Sequence, residues 1–135
     1  MTIIVDVSVA LKWVCEEEGS DRAAALLDGR LLAAPAFWLA EAANALWRRV
    51  QRGELTRGQA EERIDLLSAA PVQALEVPGL ISEALKFACD LGHPVYDCLY
   101  LAAAVQRQGQ VVTADRRFHA AAMGDVRFDT AIALL

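Results

Sequence analysis

Two acidic residues of this chain come directly after short β-branched runs. Asp6 follows the run 3–5, and Asp115 lies just beyond the run 111–113. Such runs suit strands buried on both faces, where an unpaired carboxylate is costly, so each acid should lie at the carboxyl end of its strand. Because parallel strands open at a common edge of the sheet, Asp6 and Asp115 are expected to lie close together there.

Glu41 and Asp97 lie near the starts of helices that follow loops. Helices that return after parallel strands begin at the same edge, so four carboxylates should face one cleft. Two carboxylates about 4 Å apart repel by on the order of 4 kcal/mol at an effective dielectric constant of 20, and such a cluster needs protons or a divalent cation. Carboxylate oxygens select Mg²⁺ or Mn²⁺. The predicted catalytic residues and metal ligands are Asp6, Glu41, Asp97 and Asp115.

Each of these acids also has an ordinary structural interpretation. An Asp after a strand often caps the next helix, which would account for Asp6 and Asp115. Asp97 could be a first-turn acid favoured by the helix dipole, and Glu41 a solvated surface residue. The joint placement of all four at one edge favours a site.

Strand-like and helix-like segments alternate along the chain. The alternation predicts an α/β fold, a single domain over 1–135 whose parallel sheet has helices on both faces. The predicted strands are 3–5, 31–34, 72–77, 111–113 and 126–128. The predicted helices are 7–17, 21–28, 37–52, 56–70, 78–91, 96–108 and 116–122, the fourth of which starts at a capping box formed by Thr56 and Gln59.

The composition excludes several functional classes. A net charge of -5 disfavours nonspecific coating of nucleic acid, although bound cations can reverse the local field. No apolar stretch approaches the roughly 18 residues of a membrane span. The first residues lack the Lys/Arg-rich start of a secretory signal, and Asp6 interrupts their apolar run, so a secretory signal is not expected. Three cysteines without a CxxC pair predict free thiols in a reducing cytoplasm, and only two histidines make a structural zinc site improbable. The 56% hydrophobic content predicts surface buried against a partner.

Four motifs together resemble those of the PIN domain family, specifically its VapC-like ribonuclease toxins. They read Ile-Ile-Val-Asp-Val-Ser at 3–8, Pro-Ala-Phe-Trp-Leu-Ala-Glu-Ala-Ala-Asn-Ala-Leu at 35–46, Tyr-Asp-Cys-Leu-Tyr-Leu-Ala-Ala-Ala at 96–104, and Val-Val-Thr-Ala-Asp-Arg-Arg-Phe at 111–118. The resemblance implies a three-layer α/β/α sandwich with a mainly parallel sheet of four or five strands. It also implies RNA cleavage that depends on one or two Mg²⁺ or Mn²⁺ ions, a small inhibitory antitoxin and a homodimer.

The resemblance places the four acids in the family's acidic cluster. Asp6 and Asp97 would bind the main ion, while Asp115 and Glu41 would hold it through waters or complete a second site. Such an ion polarises the phosphoryl oxygen and lowers the pKa of bound water. No histidine or lysine lies within the acidic motifs to act as a base.

Several other residues are candidates for contact with the substrate or for orienting the acids. Ser8 and Thr113 could orient a carboxylate or a water, or simply cap local backbone. Phosphate contacts could come from Arg116 and Arg117, and from Arg48, Arg49 and Arg52, which could equally complement a helix dipole. Tyr96, Trp13 or Trp38 could stack on an RNA base, although aromatic residues are more often core. A groove for a dimer mate and an antitoxin segment could be lined by Phe37, Trp38 and Trp47.

Three other functions are compatible with parts of this pattern. A Mg²⁺-dependent phosphatase or phosphotransferase would use Asp6 as its nucleophile, but it would resemble Asp-x-Asp after the first strand, where this chain has Ser8. A catalytically inactive binding module of the same fold would not need the complete acidic set. A housekeeping nuclease, rather than a toxin, would share all of these residues.

Overall fold

A computed structural model describes all 135 residues and contains one five-stranded sheet. Every neighbouring pair of strands is parallel, and the spatial order is β3-β2-β1-β4-β5, which confirms the predicted sheet. The strands are β1 (Ile3–Val5), β2 (Leu32–Pro35), β3 (Val72–Leu75), β4 (Gln110–Thr113) and β5 (Ile132–Leu134).

Seven helices flank this sheet, as the predicted sandwich requires. None of them is long and apolar enough to cross a membrane. They are α1 (Val7–Ala10), α2 (Ser20–Ala24), α3 (Trp38–Gln51), α4 (Arg57–Ser68), α5 (Ile81–Leu91), α6 (Val95–Gln106) and α7 (Arg116–Met123).

The centre of the core is made by β1 and α6. All three residues of β1 are buried, and seven consecutive residues of α6, from Cys98 to Ala104, are buried as well. A helix that is apolar all round must be covered on every side, and α6 packs against β1, β2 and β4. The first turn of α6, which carries Asp97, is therefore held beside the carboxyl ends of these strands.

The start of α4 and the end of α5 are formed by residues typical of helix ends. Thr56 Oγ1 accepts the backbone N–H of Gln59 at 3.1 Å, and Gln59 Oε1 accepts that of Thr56 at 2.9 Å, so the predicted capping box is present. Gly92 ends α5 with a φ of 62°, a conformation that glycine adopts without steric cost. Cys15, Cys89 and Cys98 form no disulfide.

Two predicted helices are shorter in the structure. The helix predicted over 7–17 ends early, and a 3-10 turn follows at Leu11–Trp13. The Ser20 hydroxyl explains this, because it donates to the carbonyl of Cys15 at 3.0 Å and accepts the N–H of Glu17 at 3.0 Å, so it binds backbone groups that a continuous helix would use. The neighbouring helix predicted over 21–28 is correspondingly short.

The strand predicted over 126–128 is wrong. These residues form a 3-10 turn, because the carboxylate of Asp125 accepts the backbone N–H of Arg127 at 3.0 Å and Phe128 packs edge-on against Phe87. The fifth strand lies instead in the C-terminal apolar tail, at Ile132–Leu134.

Gly109 allows β1 and β4 to approach each other. A Cβ at this position would lie 2.2 Å from the carbonyl oxygen of Thr2, which also accepts the N–H of Gln110 at 3.2 Å. Only a residue without a side chain fits there. The register that brings the ends of β1 and β4 together therefore depends on Gly109.

We expect Gly109→Ala to lower the free energy of unfolding by about 1–3 kcal/mol, because the added methyl group collides with backbone. Gly58→Ala is the matched control, since no atom lies within 4 Å of a Cβ there and the position is helical. It should raise stability by about 0.4–1 kcal/mol. Urea unfolding measures both, and equal effects of the two substitutions would contradict this account of the strand pairing.

Candidate active site

Asp6 is a buried carboxylate at the carboxyl end of β1, where the sequence places it. Its side chain is only 6% exposed, and one oxygen, Oδ2, accepts hydrogen bonds from Ser8 Oγ at 2.5 Å and Thr113 Oγ1 at 2.8 Å. Burial raises the pKa of Asp6, and the charges of Asp97 and Asp115 raise it further, while the two hydroxyl groups oppose the rise. Oδ1 has no hydrogen-bond partner in the chain and is free to accept a ligand.

Ser8 and Thr113 position Asp6. Thr113 is fully buried, which agrees with the predicted role of orienting a carboxylate rather than with direct contact with substrate. Its hydroxyl also accepts the N–H of Asp115 at 3.0 Å, and Ser8 Oγ accepts the N–H of Ala114 at 2.9 Å. The two hydroxyl groups thus join the end of β1 to the turn that carries Asp115.

Glu41 reaches the same edge from the first turn of α3. Its Oε1 accepts the hydroxyl of Tyr100, a fully buried residue of α6, at 2.8 Å. The pKa of Glu41 is raised to about 7, mainly because the carboxyl is buried. The hydrogen bond from Tyr100 and the positive charge of Arg48 lower this pKa, whereas the negative charges of Asp6 and Asp97 raise it further. The Glu41 carboxyl is therefore electrostatically coupled to two of the other predicted ligands.

Asp97 pairs with a histidine that the sequence analysis did not select. His93 Nε2 lies 2.7 Å from Asp97 Oδ2, and the His93 ring stacks on Phe118 with centroids 5.4 Å apart. The sequence signal for this pair is the spacing of four residues between His93, just before α6, and Asp97 in the first turn of that helix. Tyr100, the partner of Glu41, was quoted in a motif but given no role. These two residues hold the acids in place from outside the acidic cluster.

Asp115 caps a helix, as its structural interpretation predicts, and also lies near Asp6. Its Oδ1 caps α7 by accepting the N–H groups of Arg117 at 2.9 Å and Phe118 at 3.2 Å. Its charge also raises the pKa of Asp6, so it lies near the buried acid. Since Phe118 also stacks on His93, α7 connects the positions of Asp115 and Asp97.

The four acids therefore interact at one edge of the sheet, but they do not form a closed coordination shell. No three His, Cys, Asp or Glu side chains of the chain converge closely enough to hold an ion as they stand. A polar cavity of about 450 Å³ opens on two of the acids and has no hydrophobic lining residue. It is lined by Gly92, His93, Pro94, Asp97, Asp115 and Arg117. The donor set consists of carboxylate oxygens, which fits Mg²⁺ or Mn²⁺.

The predicted aromatic contacts are only partly available. Trp38 is 3% exposed, so it can neither stack on a base nor line a groove, and Trp13 donates its indole N–H to the carbonyl of Ala23 at 2.8 Å. Tyr96 is 68% exposed beside Phe37, and Trp47 is 55% exposed. Tyr96 and Trp47 are therefore the aromatic side chains open to a ligand or partner.

Comparison with known proteins places the chain in a family. The family model for the PIN domain matches residues 3–123, and the chain belongs to the PIN domain family. Ribonuclease VapC3 of Pyrobaculum aerophilum is 30% identical over 121 residues, covering 87% of this chain and 92% of that protein.

Two solved structures share the fold. PAE2754 from Pyrobaculum aerophilum superposes with a TM-score of 0.69 and 25% identity, over 98% of this chain and 83% of that one. A toxin–antitoxin complex from Klebsiella pneumoniae superposes with a TM-score of 0.63 and 12% identity, over 97% of this chain and 95% of that one. The predicted resemblance to the PIN domain family is thus confirmed, and Ribonuclease VapC3 is one of the relatives of this chain.

The raised pKa of Glu41 predicts a pH dependence of stability in the absence of divalent ions. The folded protein binds this proton up to about pH 7, whereas the ordinary value for Glu is 4.5. The contribution of Glu41 to the free energy of unfolding should therefore be greatest below about pH 4.5 and should decline as the pH rises to about 7. Glu41→Gln should make that decline shallower in thermal unfolding curves. Glu62→Gln, on the exposed face of α4, controls for the lost charge, and parallel curves for all three proteins would refute the prediction.

Proposed function

We propose that this protein is an endoribonuclease that hydrolyses RNA phosphodiester bonds with Mg²⁺ or Mn²⁺ as its cofactor. The observation that carries the proposal is the buried carboxylate of Asp6, held by two hydroxyl groups and coupled electrostatically to Asp97 and Asp115. Burying a carboxylate among other acids is costly, so a site built this way suits a cation that neutralises them. The relative named a ribonuclease supports RNA as the substrate.

Asp6 and Asp97 are the principal proposed ligands, with Glu41 and Asp115 completing the set. When bound, a divalent ion polarises a phosphoryl oxygen and lowers the pKa of a water ligand. Ser8 and Thr113 fix the rotamer of Asp6, and His93 fixes that of Asp97. Tyr100 holds Glu41 Oε1, which fixes this carboxyl and leaves its Oε2 free of hydrogen bonds within the chain.

We also propose that the protein is the toxin of a toxin–antitoxin pair and forms a homodimer. The toxin–antitoxin complex that shares the fold supports this partner. An apolar groove of about 430 Å³ between α3 and α4 is suited to an apolar segment of the antitoxin. It is lined by Ala43, Leu46, Trp47, Val50, Ala60 and Ile64, with Arg57, Glu61 and Gln51 also in contact with it.

Light scattering tests the proposed homodimer, because a measured mass of 14.6 kDa instead of twice that value would exclude it.

Two of the three rival functions have less support. A phosphatase that uses Asp6 as nucleophile needs an accessible second acid two residues later, where Ser8 instead donates to Asp6. An inactive binding module has no need to hold four acids at one edge against their mutual repulsion.

Replacing Asp6 tests the proposed chemistry directly. Asp6→Asn preserves the shape of the side chain and should reduce RNA cleavage in Mn²⁺ by at least about 100-fold, because it removes the charge that binds the ion. Asp65→Asn, on the exposed face of α4, is the matched control and should cleave like the unmodified protein. Cleavage is followed on single-stranded RNA with Mn²⁺ or EDTA, and circular dichroism confirms folding. Full cleavage by folded Asp6→Asn protein would exclude the proposed site.

A further inference from the structure

The basic residues of this acidic chain are concentrated beside the acidic site. Of 13 lysines and arginines, six line two adjoining cavities of about 360 and 140 Å³. These six are Lys12, Arg22, Arg48, Arg49, Arg52 and Arg116. A chain with a net charge of -5 thus presents a local positive field in one place. We call the two cavities together the basic cleft.

The basic cleft begins beside two of the four acids, Asp6 and Asp115. Lys12 and Ala114 line both of its cavities, and Ser8 lines the larger one. Ser8 Oγ donates to Asp6 and accepts the N–H of Ala114, which immediately precedes Asp115. A chain lying in the cleft would therefore pass within one residue of two proposed metal ligands.

Three cations of the cleft are available to a ligand. Lys12 and Arg49 both pair with Glu17, at 3.3 and 3.1 Å, and Arg52 pairs with Glu54 at 3.0 Å. Arg22, Arg48 and Arg116 are exposed and have neither a carboxylate within 4.0 Å nor a side-chain hydrogen bond. Arg48 lines the larger cavity, and Arg22 and Arg116 line the smaller one, so each half of the cleft has a guanidinium without an ion pair. Arg116 follows Asp115 directly and the charge of Arg48 acts on Glu41, so these two lie beside the acids.

We propose that the basic cleft binds RNA phosphates next to the bond that is cleaved, with Arg48 and Arg116 as the main phosphate contacts. This inference rests on the proposed ribonuclease function. Guanidinium groups bind phosphate oxygens in a bidentate fashion, and cations beside the acids offset the repulsion between those acids and a polyanion. The cavity on Asp97 and Asp115 contains a single arginine, Arg117, so the strand is expected on the Lys12 side of the site.

RNA fits the cleft better than an acidic protein segment does. The cleft leads past Ser8 to the acids, and a substrate strand must place neighbouring phosphates there when one of its phosphates reaches the acids. An acidic protein segment has no comparable reason to enter a cleft that ends beside carboxylates.

The test measures how RNA affinity depends on salt in an Asp6→Asn background, in which bound RNA stays intact. The probe is a fluorescein-labelled single-stranded RNA of about twelve nucleotides, chosen to allow several phosphate contacts. Each lost contact reduces the slope of log affinity against log salt by about 0.7 on single strands, so adding Arg48→Gln and Arg116→Gln should reduce it by about 1.4. Between 50 and 200 mM salt, the background protein should therefore lose about seven-fold more affinity than this double variant.

Lys86→Gln with Arg107→Gln is the matched control, because it removes the same charge from exposed positions on α5 and just after α6, outside the cleft. It should keep the slope of the background protein. The proposal would be overturned if the two double variants had equal slopes of log affinity against log salt, or if the background protein did not bind RNA. If the cleft instead binds an acidic peptide, the two slopes would likewise be equal. A parallel cleavage assay with Asp6 intact separates this outcome from failure of the ribonuclease function itself, which would appear as no cleavage in Mn²⁺.

Discussion

The structure depends on keeping one carboxylate, that of Asp6, buried at the end of the central strand. The free-energy cost of burying this charge is partly offset by hydrogen bonds from the hydroxyl groups of Ser8 and Thr113. The carboxylate also faces Asp97 and Asp115, whose charges oppose its ionisation. A protein that needed only stability would gain by placing an apolar residue here. The arrangement makes physical sense when a cation supplies the missing positive charge.

The fold accounts for how acids that are distant in sequence come to share this environment. Asp6 and Asp115 follow the adjacent parallel strands β1 and β4, whose approach depends on Gly109. Glu41 and Asp97 lie in the first turns of α3 and α6. Tyr100 donates a hydrogen bond to Glu41, and the His93 ring pairs with Asp97. Each acid thus has its own anchor in the chain, although no three of these side chains lie close enough to hold an ion as they stand. A bound ion would draw together acids that already interact.

Much of this could be predicted from sequence because the decisive signals are local. β-Branched runs identify β1 and β4, the capping box identifies α4, and an acid after a strand or in a first helical turn identifies the edge of the sheet. The supporting contacts could not be predicted in the same way. The Tyr100–Glu41 hydrogen bond joins two helices, and the stacking of His93 on Phe118 joins a loop to α7. Both depend on tertiary packing, which no short spacing encodes.

The errors have the same origin. The strand predicted over 126–128 has the right composition, but the Asp125 side chain makes it a turn, and β5 lies in a short apolar tail that lacks a distinguishing pattern. The residue type of Trp38 is compatible with both a surface role and the core, and packing buries it. Side-chain capping and burial, rather than propensity, decided these cases.

The central claim is that the four acids repel one another and that a divalent ion relieves the repulsion. The most direct measurement is the melting temperature of the protein as Mn²⁺ is added at neutral pH, for the unmodified chain and for Asp6→Asn. At an ion concentration of about 100 times the dissociation constant, binding should stabilise the unmodified protein by about 2.7 kcal/mol, and Asp6→Asn protein should gain much less. An unchanged melting temperature at millimolar Mn²⁺, or an equal rise in both proteins, would contradict the account.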